Sequence, residues 1–421
     1  MWPYLVANFG LGIIWAAVVG ITFQFFINME IERYSILHGE SVFVGYSEIS
    51  KKLPYWFILS TFLAWIWPGI IAVSAKIFSN ILGINNFSYL AIAFLLLIGL
   101  ILTLGPKLYK TVESFQKIII FVGIPLIAIV VFLIARHADY IALANGLIGI
   151  GNGFSFIPRG IPIFTFLGAV AYSGAGGNLN LAQSFYVKEK GYGMCYGVKG
   201  ITSVLTGKAQ KVKIYGQKAN FDDATTYQNF KKWWKLINFE HFLVFLLMGI
   251  IAILLLALLA YSTAQFLPQE QNVGFLLKEA ETIGFRIFPF AGILFLITIG
   301  TMLFATQLNI LDSTSRIISE NLVIIKNKLN LSKTYYIILW LQIIAGIIIF
   351  SFGYFDPVQL IIIGAVINAF AMLFHIAATY LLNKKLLPKI YQPSLIRKII
   401  LLIAWLTFVV LFILAIVEAF K

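Results

Sequence analysis

The chain has 421 residues, of which 60% are hydrophobic and 11% charged, and its mean hydropathy is +0.92; a soluble domain of this length cannot hide so much apolar surface. Its formal charge of +14 does not point to nucleic acid, because the Lys and Arg residues cluster between apolar runs and no basic stripe follows an aromatic platform. The single Cys195 excludes a disulfide framework and a multi-cysteine zinc site.

About ten segments are long enough to cross a bilayer: roughly 5–28, 55–79, 87–105, 113–135, 162–186, 241–263, 286–308, 334–353, 358–382 and 397–418. Each holds about 20 residues or more, which at 1.5 Å per residue matches a ~30 Å hydrocarbon core. The expected class is therefore an all-α, polytopic membrane protein, multi-pass in the cell membrane. No cleaved signal peptide is expected, since the start lacks separate charged, apolar and cleavage regions.

The first segment carries two polar residues, Gln24 and Asn28. Asn86-Phe87-Ser88 before the third is a glycosylation sequon of a kind common by chance. Gly105-Pro106 punctuates the approach to the fourth. There Glu113 has Lys110 and Lys117 at helical spacing, which reads as a paired interfacial carboxylate. "GIGNG" at 149–153 lacks the spacing of a dinucleotide-binding loop.

The fifth segment contains "GAVAYSGAGGNLNLAQS" (168–184). Glycine costs about 1 kcal/mol in a helix interior, and Gly174, Gly176 and Gly177 fall within four positions, so local unwinding is cheap. Close helix packing also favours small residues, but does not account for Ser173, Asn178, Asn180 and Gln183 beside them. Backbone freed at membrane depth is tolerated inside protein or beside a watery cavity, and interrupted helices of this kind bind ions and solutes in secondary transporters.

A basic, polar stretch at about 187–238 follows. Trp233 and Trp234, among Lys231, Lys232 and Lys235, read as an interfacial anchor, and Asn238 as an N-cap for the next helix. "TGK" at 206–208 lacks the upstream glycines of a phosphate-binding loop. The seventh segment holds Gln307, with Asp312 and Arg316 one turn apart just beyond it as a structural pair. Asp356-Pro357 opens the ninth, where Asn368 and His375 lie seven residues apart on one face. All 17 acidic residues fall in loops or near segment ends on this reading, so no carboxylate is expected at mid-membrane. Metalloprotease, nucleophile-elbow and nucleotide-binding signatures are missing from the sequence, and no enzyme activity is expected.

Counting Lys and Arg on alternate sides gives 24 in one set of connections and six in the other, with Lys117 inside a segment. The first set is expected in the cytoplasm, with both termini outside.

Several stretches together resemble the Nramp-related family of divalent metal transporters. "GLGIIWAAVVGITFQFFINMEIERYSILHGES" (10–41) is similar to its second helix, "GAVAYSGAGGNLNLAQSFYVKEKGYGM" (168–194) to its sixth and "TMLFATQLNILDSTSRIISE" (301–320) to its eighth. The resemblance implies a LeuT-like fold of two inverted five-helix repeats forming one transmembrane transporter domain. Residues 1–135 would be the remainder of the first repeat, with its first helix missing. Residues 162–353 would be the first four helices of the second, and 358–421 the last two helices. Metal would sit where the first helix of each repeat unwinds. The missing helix carries the family's Asp-Pro-Gly-Asn motif, and Ala175-Gly176-Gly177 stands where the family has Met-Pro-His. Loss of the methionine sulfur turns the expectation away from soft metals, toward a harder ion or another small solute.

The expected activity is secondary-active transport of a divalent metal ion by alternating access, with proton coupling open and no resident cofactor. Gly174, Ala175, Gly176, Gly177, Asn178 and Asn180 are the expected binding residues, and Asn368, Gln183 and Gln307 candidate cavity residues. The expected partners are the cation, protons and membrane lipid. The alternatives are an amino-acid or other small-solute transporter of the same fold, and a non-transporting membrane protein.

Overall fold

The computed structural model describes residues 1–105, 108–198, 200–201, 212–265, 273–352 and 356–420. The 206–208 triplet, Pro106 and the final residue of the 334–353 segment lie outside them. Among the described residues the only sheet is a hairpin of two-residue strands, β1 (Ile150–Gly151) and β2 (Phe154–Ser155). Everything else regular among them is helical, and nine helical stretches of the described residues are long and apolar enough to cross a membrane. The one expected segment not among them is the fifth, 162–186, which is interrupted.

The chain opens with a short helix α1 (Trp2–Phe9) and a 3-10 turn at Leu11–Ile13, then the long α2 (Trp15–His38). The expected first crossing at 5–28 is thus two elements, separated at Gly10, and the spanning helix runs ten residues beyond the expected end. Gly39, left-handed at φ +68°, terminates it. After α3 (Val42–Ile49), the expected 55–79 crossing is also divided. Pro68, which cannot donate a helix hydrogen bond, separates α4 (Leu53–Trp65) from α5 (Gly69–Leu82).

Next come α6 (Phe87–Leu104), α7 (Leu108–Ile134) and α8 (His137–Leu147). The fifth segment becomes α9 (Ile163–Ala171), a 3-10 turn over Gly177–Ala182 and α10 (Gln183–Lys190). The stretch expected as a loop to 238 in fact contains most of α11 (Ala224–His241), capped by Asp223 accepting from the Thr225 N–H at 2.8 Å. Asn238 is therefore no N-cap: it lies within the helix and donates to the Trp234 carbonyl. A π-turn at Phe242–Leu247 leads into α12 (Met248–Ala264).

Then follow α13 (Gly274–Arg286), the 37-residue α14 (Pro289–Ile325), α15 (Leu331–Ser351), α16 (Pro357–Leu386) and α17 (Leu395–Ala419). At 1.5 Å per residue α14 is about 55 Å long, well beyond the expected end at 308.

Two helices organise the interior. α14 packs on α4, α5, α13 and α15, and α16 packs on α2, α4, α9 and α17, while α1 lies against α12. Between them Tyr34, Phe43, Phe57, Phe166, Phe295 and Phe408 are wholly buried. Outward positions such as Phe121, Phe132 and Leu402 are exposed apolar side chains, as a surface against acyl chains requires.

The longer helices overturn one expectation. Glu30 and Glu32 sit inside α2, and Asp312 and Glu320 inside α14, all buried. Buried charge needs a partner. Glu30 accepts from Arg33 at 2.6 Å and from Arg397 at 3.2 Å. Asp312 accepts from Arg316 at 2.9 Å and from the Tyr335 hydroxyl at 2.8 Å, while Arg316 reaches Glu189 on α10 at 2.7 Å. The Asp312–Arg316 pair is structural, as expected, but bolts α14 to α10. Trp234 is likewise more than an anchor: Arg33 and Arg397 lie over its ring at 3.9 and 4.8 Å.

Candidate solute site at the helix break

α9 ends at Ala171, and the next five residues are neither helix nor strand. Gly176 and Gly177 take φ values of +79° and +55°, a region closed in practice to most L side chains. A Cβ on Gly177 would stand 1.8 Å from Asn368 Oδ1. Glycine is required there twice over, by conformation and by space.

The freed backbone is bonded by α2. Gln24 Nε2 donates to the Ala171 carbonyl at 2.9 Å and to the Val170 carbonyl at 3.4 Å, and Gln24 Oε1 accepts from the Gly176 N–H at 3.1 Å. Trp2 Nε1 donates to Ser173 Oγ at 3.0 Å, and Ser173 Oγ donates to the Ala169 carbonyl. From α16, Asn368 Nδ2 donates to the Tyr172 hydroxyl at 3.1 Å and to the Gly364 carbonyl at 3.0 Å. From α4, Ser60 and Thr61 accept from Asn178 Nδ2 at 2.8 and 2.9 Å. The break is thus a fixed conformation.

Several oxygens are left over. Asn178 Oδ1, Asn368 Oδ1 and both amide atoms of Asn180 are buried without a hydrogen-bond partner among the described residues. In a low-dielectric interior each such group costs about 1–3 kcal/mol.

On one side of the break lies a cavity of about 420 Å³, walled by Trp65, Tyr172, Gly174, Ala175, Gln183 and Thr306 among others. Trp65 and Tyr172 stack at 5.4 Å with an 11° interplanar angle, and Trp65 Nε1 has no partner among the described residues. No side chain of this wall is a carboxylate or an imidazole. Among the described residues there is also no cluster of three His, Cys, Asp or Glu side chains set to hold a metal ion.

Of the residues expected at the site, Gly174, Ala175 and Gln183 line this cavity. Gly176, Gly177, Asn178, Asn180 and Asn368 are buried: Gly176 bonds Gln24 on α2, Asn178 bonds Ser60 on α4, and Gly177 lies against Asn368 on α16. Gln307 is buried on α14 and does not line the cavity.

Tyr186, Asn309 and Ser313 were not anticipated. The Tyr186 hydroxyl donates to Asn309 Oδ1 at 2.9 Å and lies 3.0 Å from Ser313 Oγ. Their signal in the sequence was Asn309 and Ser313 one turn apart, on the face of α14 that continues to Arg316. Gln183, Tyr186 and Asn309 also line a second cavity of about 760 Å³ at the lysine-rich end, so they form the threshold between the two.

No protein family's sequence profile and no curated protein matches the chain. Among solved structures, crystal structures of mutants of a manganese transporter from Eremococcus coleocola superpose with a TM-score of 0.65 at 14% identity, over 99% of this chain and 85% of that one. The same transporter in complex with an aromatic bis-isothiourea substituted compound gives 0.65 at 14%, over 99% and 82%. A nucleobase-cation-symport-1 transporter in a closed conformation aligns with a TM-score of 0.49 at 11% identity, over 99% and 88%. The likeness to the manganese transporter establishes an all-α, LeuT-like fold for this chain.

Proposed function

We propose that the chain is a secondary-active transporter that moves a small solute across the cell membrane by alternating access, with the solute bound at the break between α9 and α10. The observation that carries this reading is the fixed interruption at 172–176, beside a cavity that continues through Gln183, Tyr186 and Asn309 into an open vestibule. Residues 1–135 are read as the remainder of the first inverted repeat and 162–353 as the first four helices of the second, and the lysine-rich end as the cytoplasmic face.

The substrate class we assign is a hard divalent cation carried with much of its water. The polar side chains of the wall are uncharged: the hydroxyls of Tyr172, Tyr186, Thr306 and Ser313, the carboxamides of Gln183 and Asn309, and the indole N–H groups of Trp2 and Trp65. Hard cations take oxygen ligands, and magnesium in particular keeps several waters. Six waters at about 30 Å³ each fill about 180 Å³, so a hydrated ion fits. A second reading, a small polar organic solute, is favoured by the Trp65–Tyr172 stack and the unpartnered Trp65 N–H, which suit a flat or zwitterionic guest.

Proteoliposomes loaded with a metal-sensitive dye test the assignment. Saturable Mg²⁺ or Mn²⁺ entry, absent from protein-free vesicles and indifferent to excess alanine, is the expected result. Alanine uptake that competes with the metal supports the organic-solute reading instead. No flux of either contradicts transport.

A further inference from the structure

The vestibule at the lysine-rich end contains a group that the break does not use. Helix α2 carries Gln24, Asn28 and Glu32 at steps of four residues, which places them on one face about 6 Å apart. All three are buried. Gln24 holds the break, as described above, and Glu32 lines the vestibule. Between them, both amide atoms of Asn28 are buried and have no hydrogen-bond partner among the described residues. Such an amide, in a chain of polar groups, is completed by a water or by a neighbour in the chain.

Glu32 has a particular neighbour. Its Oε1 lies 3.3 Å from His241 Nδ1 on α11, and His241 Nε2 has no partner among the described residues. The imidazole stacks against Phe25 at 5.7 Å and Phe245 at 4.7 Å, which fixes the ring beside the carboxylate. The other charged groups here are already matched. Glu240 is paired with Lys190 and accepts from the Tyr192 hydroxyl at 2.8 Å, and Lys117 pairs with Glu113 at 2.9 Å. On α2 itself, Glu30 and Arg33 engage each other, and Glu30 also engages Arg397. Among the described residues Glu32 is paired with the imidazole alone, and a buried carboxylate beside an imidazole is neutral overall when the two hold one proton.

We propose that Glu32 and His241 form a proton-binding site, loaded from the vestibule and joined to the break by the Gln24–Asn28–Glu32 face of α2. The inference rests on the transport reading for its purpose but not for its chemistry. A proton enters at the Glu32–His241 pair, no covalent bond between heavy atoms changes, and loss of that proton leaves a bare carboxylate at the foot of the polar face. Coupling follows because the same face ends on the hydrogen bonds that hold the break.

Two readouts on the full chain separate the claims. In infrared difference spectra of purified protein taken between about pH 5 and 8, a carboxyl C=O band is expected that vanishes in Glu32→Gln and moves its midpoint in His241→Gln. A band that persists in Glu32→Gln, or no titrating band at all, overturns the site whatever the transport result. In proteoliposomes, acceleration of Mg²⁺ entry by an imposed pH gradient is expected in the native protein and is expected to be lost in Glu32→Gln. Acceleration unchanged in Glu32→Gln overturns the coupling. A band that behaves as expected in a protein that moves no Mg²⁺ keeps the proton site and contradicts the cation reading.

Discussion

Gln24 holds Gly176 across the break: its Oε1 accepts the Gly176 N–H at 3.1 Å while its Nε2 donates to the Ala171 carbonyl at 2.9 Å. One carboxamide thus bonds a backbone group on each side of the interruption. Replacing Gln24 with Leu leaves a buried donor and a buried acceptor without partners, at about 1–3 kcal/mol each. The thermal midpoint in detergent is expected to fall and solute flux to disappear. Gln24→Glu, which keeps the acceptor for Gly176 but loses the donor, is expected to fall between. A Gln24→Leu protein as stable as the native one contradicts this role.

Gly177 and Asn368 test the other side of the break. Gly177→Ala forces an L side chain into φ +55° and drives its Cβ to 1.8 Å from Asn368 Oδ1, so a loss of more than about 2 kcal/mol is expected. Trimming the obstacle in Gly177→Ala/Asn368→Ala removes the Oδ1 and Cγ contacts but leaves a Cβ–Cβ approach of 2.7 Å and the backbone strain. A double-mutant cycle on thermal unfolding is therefore expected to be non-additive, and additive losses refute the close approach.

The break itself was legible because three glycines and a run of amides have no place in a plain spanning helix. The partners that hold it were not. Gln24 stands out as polar in an apolar run, but nothing local says that it meets a backbone 147 residues away. Helix ends were misplaced for a related reason. Glu30, Glu32 and Asp312 look like residues at a membrane boundary, and only the pairing of two of them with Arg33, Arg397 and Arg316 shows how helices continue past them. The interruption between α4 and α5 did carry a signal, Pro68-Gly69, which the apolar run on either side concealed. Gly69 is needed there because a Cβ would sit 2.6 Å from the Ile361 backbone nitrogen on α16.

Arg316 lies between two buried carboxylates, Asp312 and Glu189, and pairs with both. Arg316→Met strands both, and removal of one partner from a buried pair costs about 3–5 kcal/mol. Replacing the carboxylates as well, in Arg316→Met/Asp312→Leu/Glu189→Leu, is expected to restore much of the thermal midpoint. A single substitution without effect shows that the network contributes nothing to holding α14 against α10.

Cys195 lies wholly buried outside the spanning helices, its Sγ 3.4 Å from the Ser35 carbonyl, and burial pushes its thiol up to about 12. Because the thiolate is the reactive form, maleimide is expected to label the folded protein negligibly at neutral pH and the denatured protein fully. Rapid labelling of the folded protein contradicts the packing of this region.

That inertness permits the most direct test of the central claim, that the solute sits at the break. Ala175 is half-buried in the cavity wall, so Ala175→Cys places a reactive thiol there with Cys195 left in place. In oriented proteoliposomes a membrane-impermeant thiol reagent is expected to label it from the lysine-rich side, and saturating Mg²⁺ to slow that labelling. A thiol labelled at the same rate with and without Mg²⁺, with alanine also giving no protection, contradicts the account.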